Sequence, residues 1–324
     1  MRTTGEASGS HANGFRGMAG ARFTRGNFVL MTIGLGVGIF GILRAVYAGD
    51  PYWYSYFTIG SFLCFDRISV LLTGASTLRE IRSGKWIAIV LIYGAFLLLA
   101  VVVDFAYGRF LAHAWVYPHY DLFDEIIHVV LIGYPFAFFS TIEMTAVICA
   151  LLAIICRRNT KFVGLEKQND PQILIFLAKV VLLIGILAVV CPYINYILRD
   201  NRDAQEVLVI CMIASTFLFD AAGHLLGAPS ILRAIYQGNW VIILGLAVAV
   251  PLSAGLHEIP NTYAWEWAYQ NIPFTDAEIF GVNVIVYFPG WLFLIIFPLS
   301  IYGIIAHLCG VPHPLFRISE LKRQ

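Results

Sequence analysis

Eight long apolar stretches are separated by short polar segments along this chain. They run over 28–48, 55–75, 86–107, 126–156, 172–196, 206–226, 239–257 and 279–308. Each is near or above the roughly 20 residues that a helix needs to cross a bilayer. The pattern predicts an all-α polytopic membrane protein with eight transmembrane helices. The fourth and eighth stretches are long, and Pro135, Pro289 and Pro298 lie inside them. Each proline removes a backbone donor, so tilts or kinks are expected there. Residues 1–26 are rich in Gly, Ser, Ala and Arg and read as a disordered tail. The apolar run after them is long enough to span, so a cleaved leader is not expected. Residues 159–171 read as a linker and 309–324 as a C-terminal tail.

Composition agrees with this class. Of 324 residues, 59% are hydrophobic and 13% charged, where a soluble domain carries roughly 25% charged residues. Mean hydropathy is +0.78. The net charge of +1 implies no nucleic-acid or polyanion partner. The six cysteines lie in or beside apolar stretches without a CxxC pair, which argues against a metal knuckle or a disulfide framework. Only Cys191 and Cys211 sit where two thiols could approach. Lys and Arg are distributed unevenly. The tails and alternate loops hold fifteen of them, whereas the opposite loops hold Arg44, Arg109, Arg199 and Arg202. By the positive-inside rule both termini are expected in the cytoplasm, most simply in a bacterial inner membrane. The acidic, aromatic loops 108–125 and 258–278 then face outward, and the second holds three carboxylates, Glu258, Glu266 and Asp276, that could face a membrane cavity.

The chain contains this layout twice. Phe65-Asp66 matches Phe219-Asp220, Ser76 matches Ser230, Trp86 matches Trp240, and Asp104 meets Glu258, all at one offset of 154 residues. Around them Gly41-Ile42-Leu43 matches Gly185-Ile186-Leu187. Trp115-Val-Tyr117 matches Trp267-Ala-Tyr269, Glu125 matches Glu278, and Tyr134 matches Tyr287. Four spans return a chain to its starting side, so a duplicated four-helix unit keeps one orientation. The expected arrangement is 27–158 and 172–308 related by a pseudo-twofold axis along the membrane normal.

Charges within spans point to function by default. Asp66 and Arg67 are sequence neighbours and are not expected to face each other, which makes Glu143 the candidate partner for Arg67. Lys179 and Asp220 fall at similar depth and are expected to form an ion pair between helices. Asp220 and His224 share a helix face.

Asp104 and Glu258 are expected to end their helices at the outer boundary, just before the aromatic loops. His257 adjoins Glu258, and His128 follows Asp124 and Glu125. Carboxylates at the mouth of a cavity suit general acid and base roles. Helix capping, or a hydrogen bond between the two halves, would explain them equally well. The candidate catalytic residues are therefore Glu258, Asp104 and His257. Trp115, Tyr117, Trp265, Trp267, Tyr269, Tyr134 and Tyr287 are candidates for holding an apolar or cationic molecule. The plainer reading of the rings is an aromatic belt at headgroup depth. Together with Asp124 and Glu125 the acids and histidines would supply enough metal ligands. There is no HxxH, HExxH or His-box spacing, so no metal or other cofactor is expected.

Glu258, Trp267-Ala-Tyr269, Gly281, Pro289 and Trp291 follow one another as an acid, a W-x-Y loop, and a Gly and Pro leading to a Trp. Asp104, Trp115-Val-Tyr117, Gly133 and Pro135 lie similarly in the first half. The pattern resembles small membrane enzymes of isoprenoid metabolism, namely lycopene cyclase-type domains and carotenoid hydratase-like proteins. It covers about a third of the chain. The doubled-acid PxEE motif expected of lycopene cyclases is absent, since Phe136-Ala137-Phe138 follows Pro135. No Asp-rich diphosphate-binding motif is present either. The resemblance implies acid–base chemistry on an isoprenoid, carotenoid or other lipid that enters from the membrane. A small-molecule transporter and a non-catalytic subunit of a membrane or pigment complex are the competing readings. Oligomeric state is left open.

Overall fold

The structure is a computed structural model that describes residues 24–156, 170–199, 205–272 and 276–316. The linker expected at 159–171 falls almost wholly outside the described residues, as do most of the expected tails. Thr24 and Arg25 do not belong to a tail. Thr24 Oγ1 accepts from the amide of Asn27 and caps α1, Arg25–Ala48. The chain continues through α2 (Trp53–Thr73), a short α3 (Thr77–Glu80) and α4 (Trp86–Ala100). It then passes through α5 (Leu122–Asp124), α6 (Tyr134–Ile155), α7 (Gln172–Arg199), α8 (Gln205–Ala214) and α9 (Leu218–Leu225). Last come α10 (Ile231–Tyr236), α11 (Trp240–Ala264) and α12 (Trp291–Leu308).

Seven helical runs among the described residues are long and apolar enough to cross a membrane, which makes this a helical membrane protein. The expected sixth span at 206–226 differs. It breaks into α8 and α9 at Ser215–Phe217. There the Ser215 and Thr216 hydroxyls donate to the carbonyls of Met212 and Ile213, and the Thr216 and Leu218 amides bond three residues back. Hydroxyls that take up helix carbonyls offer the backbone an alternative to continuous α-helix.

Other boundaries moved for local reasons. The eighth span does not start at 279. Glu278–Ile279 (β3) and Val282–Asn283 (β4) pair as a hairpin, with Phe280 and Gly281 at φ 53° and 76° in its turn. Positive φ at both turn residues is what a two-residue hairpin of this twist requires. The seventh span reaches Ala264, so Glu258 lies inside α11 and does not end it. The third span leaves α geometry at Val101 and continues as a wider π-helix to Leu111, and Glu125–Gly133 and Val286–Gly290 are also π-helical. Such insertions often mark functional sites, because each shifts the side chains that follow onto a new face.

Packing orders the bundle. The central helices are α2, α6 and α12, which present their spans mostly to other helices, whereas α1 and α7 keep most of their apolar surface exposed. Helix α1 approaches α2 through glycines. A Cβ on Gly60 would lie 2.2 Å from the Gly38 amide nitrogen, and one on Gly41 2.7 Å from that of Phe57. Small residues let helix backbones come close in a membrane, where packing rather than the hydrophobic effect drives association.

The buried charges are placed differently from expectation. Arg67 folds back onto Asp66, with Nε 2.8 Å from Oδ2, and also donates to Asn27 and Ser76. Adjacent residues on a helix diverge at Cβ, but the arginine stem is long enough to return. Glu143 accepts from the Thr77 amide and hydroxyl, both at 2.8 Å. Asp220 does not pair with Lys179, which is exposed and has no ion pair among the described residues. Asp220 instead accepts from the amides of Ile231 and Leu232 at 2.7 and 2.8 Å, since the first amides of a helix have no partner within it. The same arrangement occurs 154 residues earlier, where Leu78 donates to Asp66 at 2.9 Å. Ser76 and Ser230 cap the two short helices through their hydroxyls.

Candidate functional site

Two acid clusters form at one end of the bundle. In the first, Asp104 Oδ1 accepts from Trp115 Nε1 at 2.6 Å, Tyr117 Oη at 2.7 Å and Tyr134 Oη at 3.4 Å. In the second, Glu258 accepts from Tyr269 Oη at 2.8 Å, Trp291 Nε1 at 2.9 Å and Trp267 Nε1 at 3.2 Å. An indole N–H can only donate, so both carboxyls act as acceptors. A short antiparallel ladder ties the loops together, with Trp115–Val116 (β1) against Ala268–Tyr269 (β2). Trp115 lies opposite Tyr269, and Val116 opposite Ala268. Asn261 pins the second loop by bonding the Trp267 amide and carbonyl.

Between the clusters lies an apolar cavity. Its inner space is about 100 Å³, somewhat less than the roughly 150 Å³ of an engineered cavity that holds benzene. Its walls include Tyr54, Trp115, Tyr117, Tyr134, Trp267, Tyr269 and Trp291, with aliphatic positions such as Val209, Met212 and Leu294. Two carboxyls face it, Glu258 and Glu266.

Most of the expected rings are therefore gathered at one place, and four expected residues, Trp265, Tyr287, Asp104 and His257, are not among the walls. Trp265 turns outward and is 60% exposed. It ends α11 with φ 54°, and this left-handed turn sends Trp265 out and the next side chain in. Tyr287 is buried against Phe288 in the core and is not among the cavity walls. Asp104 does not face the cavity. It stands behind Trp115, Tyr117 and Tyr134, all three of which turn their polar atoms to it and their rings to the cavity. His257 is buried with Nδ1 2.8 Å from the Tyr54 hydroxyl and its ring tilted on Trp291 at 4.5 Å. His128 instead bonds Ser55 at 2.9 Å. Among the described residues no three His, Cys, Asp or Glu side chains gather as a metal site.

Glu266 is the residue that sequence reasoning underrated. It is fully buried, and neither carboxyl oxygen has a hydrogen-bond partner among the described residues. Burial pushes its carboxyl well above the ordinary value of 4.5, against the pull of the Tyr120 hydroxyl and the Tyr54 backbone. Both groups lie near Glu266, but neither meets it with hydrogen-bond geometry, and the Tyr120 hydroxyl donates to the Pro51 carbonyl at 2.7 Å. A dry site disfavours the charged form of an acid, so burial favours the protonated form of Glu266. Burial also raises the Tyr117 and Tyr269 hydroxyls, and the charges of Asp104 and Glu258 add to this. Both phenols stay protonated and donating. The available signal was the run Trp265-Glu266-Trp267, an acid flanked by two indoles.

Comparison with protein-family models, curated proteins and solved structures finds no match for this chain. The fold and the site define a class: a polytopic helical membrane protein with a carboxyl-bearing aromatic cavity.

Proposed function

We propose that this protein is a membrane enzyme that moves a proton on and off an apolar, unsaturated lipid of the isoprenoid or carotenoid type. The observation that carries this reading is the contrast between Glu258 and Glu266 in one aromatic cavity. Glu258 is surrounded by three donors and acts as an acceptor, whereas both Glu266 oxygens are buried without a hydrogen bond among the described residues, in a dry site that favours its protonated form. Acids whose surroundings differ in this way divide the acid and base roles. The Glu266 O–H gives its proton to the bound molecule and generates a carbocation. The faces of Tyr54, Tyr117, Trp267 and Trp291 stabilise that cation by about 0.5–2 kcal/mol each. Glu258 takes a proton from a neighbouring carbon, and the C–H electron pair becomes the new double bond. The net change is an isomerisation or cyclisation without a redox partner, and proton exchange with solvent resets both acids. His257 and Asp104 act as positioning residues, through Tyr54 and through Trp115 and Tyr117.

Isotope incorporation tests this without knowledge of the substrate. Membranes holding the protein are incubated in D₂O with a non-saponifiable lipid extract, and apolar lipids are screened for non-exchangeable deuterium by mass spectrometry. Incorporation is expected with the native protein and lost in Glu266→Gln and in Glu258→Gln. No incorporation by the native protein sinks the enzyme reading and favours transport of an apolar or cationic molecule, or a role as a subunit.

We also infer two tandem four-helix units, 27–158 and 172–308, in one orientation with both termini cytoplasmic in a bacterial inner membrane. Support comes from the Asp–amide pairs of Asp66 and Asp220, and from the ladder that sets Val116 against Ala268. An antiparallel pair has a local twofold at its centre, and these two residues are sequence equivalents. The sixth span of this layout is the broken α8–α9. Impermeant maleimide should label Asn271→Cys but not Lys85→Cys in intact cells, with the exposed Cys191 and Cys309 replaced by Ser.

A further inference from the structure

Every polar group in the cavity wall is already engaged, with one exception. The indoles of Trp115, Trp267 and Trp291 donate to Asp104 or Glu258. The hydroxyls of Tyr117, Tyr134 and Tyr269 do the same. Tyr54 bonds His257, and Thr141 donates to the Phe138 carbonyl at 3.1 Å. Of the described wall residues, only Glu266 has buried polar atoms without a partner. A buried polar group left unsatisfied carries a desolvation penalty that a ligand atom can relieve.

We propose that the cavity takes an apolar molecule bearing a single oxygen function, a hydroxyl or a carbonyl, and that this oxygen lies against Glu266. The inference deepens the proposed function, because it rests on the cavity being the substrate site. The wall chemistry limits the ligand on both sides. A second oxygen function would find no free donor, since the wall N–H and O–H groups are already donating, and would lose hydration that binding does not restore. A pure hydrocarbon would leave Glu266 unpaired, as in the empty protein. The inner space of about 100 Å³ admits only a ring-sized end of a longer molecule. The oxygen is therefore on or next to that end. A protonated carboxyl also matches a carbonyl or hydroxyl better than it matches an ammonium group, which needs a carboxylate.

Two near-isosteric probes test this, cyclohexanone and methylenecyclohexane, which differ by C=O against C=CH₂. Their binding to the purified full-length protein in nanodiscs is read from the fluorescence of the wall tryptophans. The ratio of the two affinities is compared between native protein and Glu266→Leu, which cancels their different partitioning into lipid. The preference for the ketone is expected to fall about fivefold in Glu266→Leu, the effect of one ordinary hydrogen bond. Glu266→Gln, which keeps a donor, should retain it within about twofold. A measurement on native protein alone guards against misfolded variants: the infrared carbonyl stretch of bound cyclohexanone should move to lower wavenumber than in lipid. Saturable binding with an unchanged ratio and an unshifted carbonyl band overturns this inference and leaves the cavity as a binding site. No saturable binding of either probe to native protein overturns the site as well.

Discussion

The backbones of Trp115 and Tyr269 are paired in the β1–β2 ladder, yet their side chains serve different acids. The Trp115 indole donates to Asp104, and the Tyr269 hydroxyl donates to Glu258. The ladder therefore fixes the spacing of two clusters that share no hydrogen bond among those described. Deleting one donor from each, Trp115→Phe and Tyr269→Phe, is expected to cost about 1–3 kcal/mol apiece, because a buried acid loses a partner. Because the two residues sit opposite each other in the ladder and line one cavity, the double variant should depart from additivity by at least about 0.5 kcal/mol. Denaturant unfolding in detergent micelles checks both statements.

Glu266 makes stability depend on pH with a definite sign. Its carboxyl stands well above 4.5 in the folded protein, so the folded state binds the proton more tightly than the unfolded state. The stability associated with it is fully present below about pH 4.5 and is lost as pH rises towards the folded value. Between pH 5 and 8 the thermal midpoint of the native protein should fall more steeply than that of Glu266→Gln. Parallel curves for the two proteins would mean that Glu266 is ionised, or hydrated, when folded.

The α1–α2 contact tolerates no side chain at Gly60. A Cβ there would sit 2.2 Å from the Gly38 nitrogen and 2.7 Å from the Gly34 carbonyl oxygen. Gly60→Ala should force the backbones apart and cost about 1–3 kcal/mol, as overpacking does. Gly36→Ala, where nothing lies within 4 Å, should be neutral or slightly stabilising, because alanine is the better helix former. Folded yield and thermal midpoint provide the comparison.

Arg67 is 1% exposed and bridges Asp66, Asn27 and Ser76. Arg67→Met leaves the buried Asp66 charge uncompensated and should destabilise by about 3–5 kcal/mol. Lys179→Met, at an exposed position without an ion pair among the described residues, should stay within about 0.5 kcal/mol. A comparable loss from Lys179→Met would restore the ion pair with Asp220 that the sequence pattern predicts.

Hydropathy alone determined the class of this protein, because any chain with seven long apolar helices must keep its backbone bonded inside a bilayer. The sequence also pointed to most of the site. Acids followed within about a dozen residues by W-x-Y place donors where a turn can return them to the carboxyl, as Asp104 with Trp115 and Tyr117 shows. Spacing could not reveal the break at Ser215–Phe217, since hydroxyl-to-carbonyl bonds leave no mark on hydropathy. Nor could it decide which way side chains turn around Trp265. One left-handed residue sends that indole outward and buries Glu266. The rule that neighbours on a helix diverge failed for Asp66 and Arg67 because it concerns Cβ directions and not the reach of a long side chain. Only tertiary structure decided which carboxyl is surrounded by donors and which has none, because a donor's position across the bundle is not encoded in local spacing.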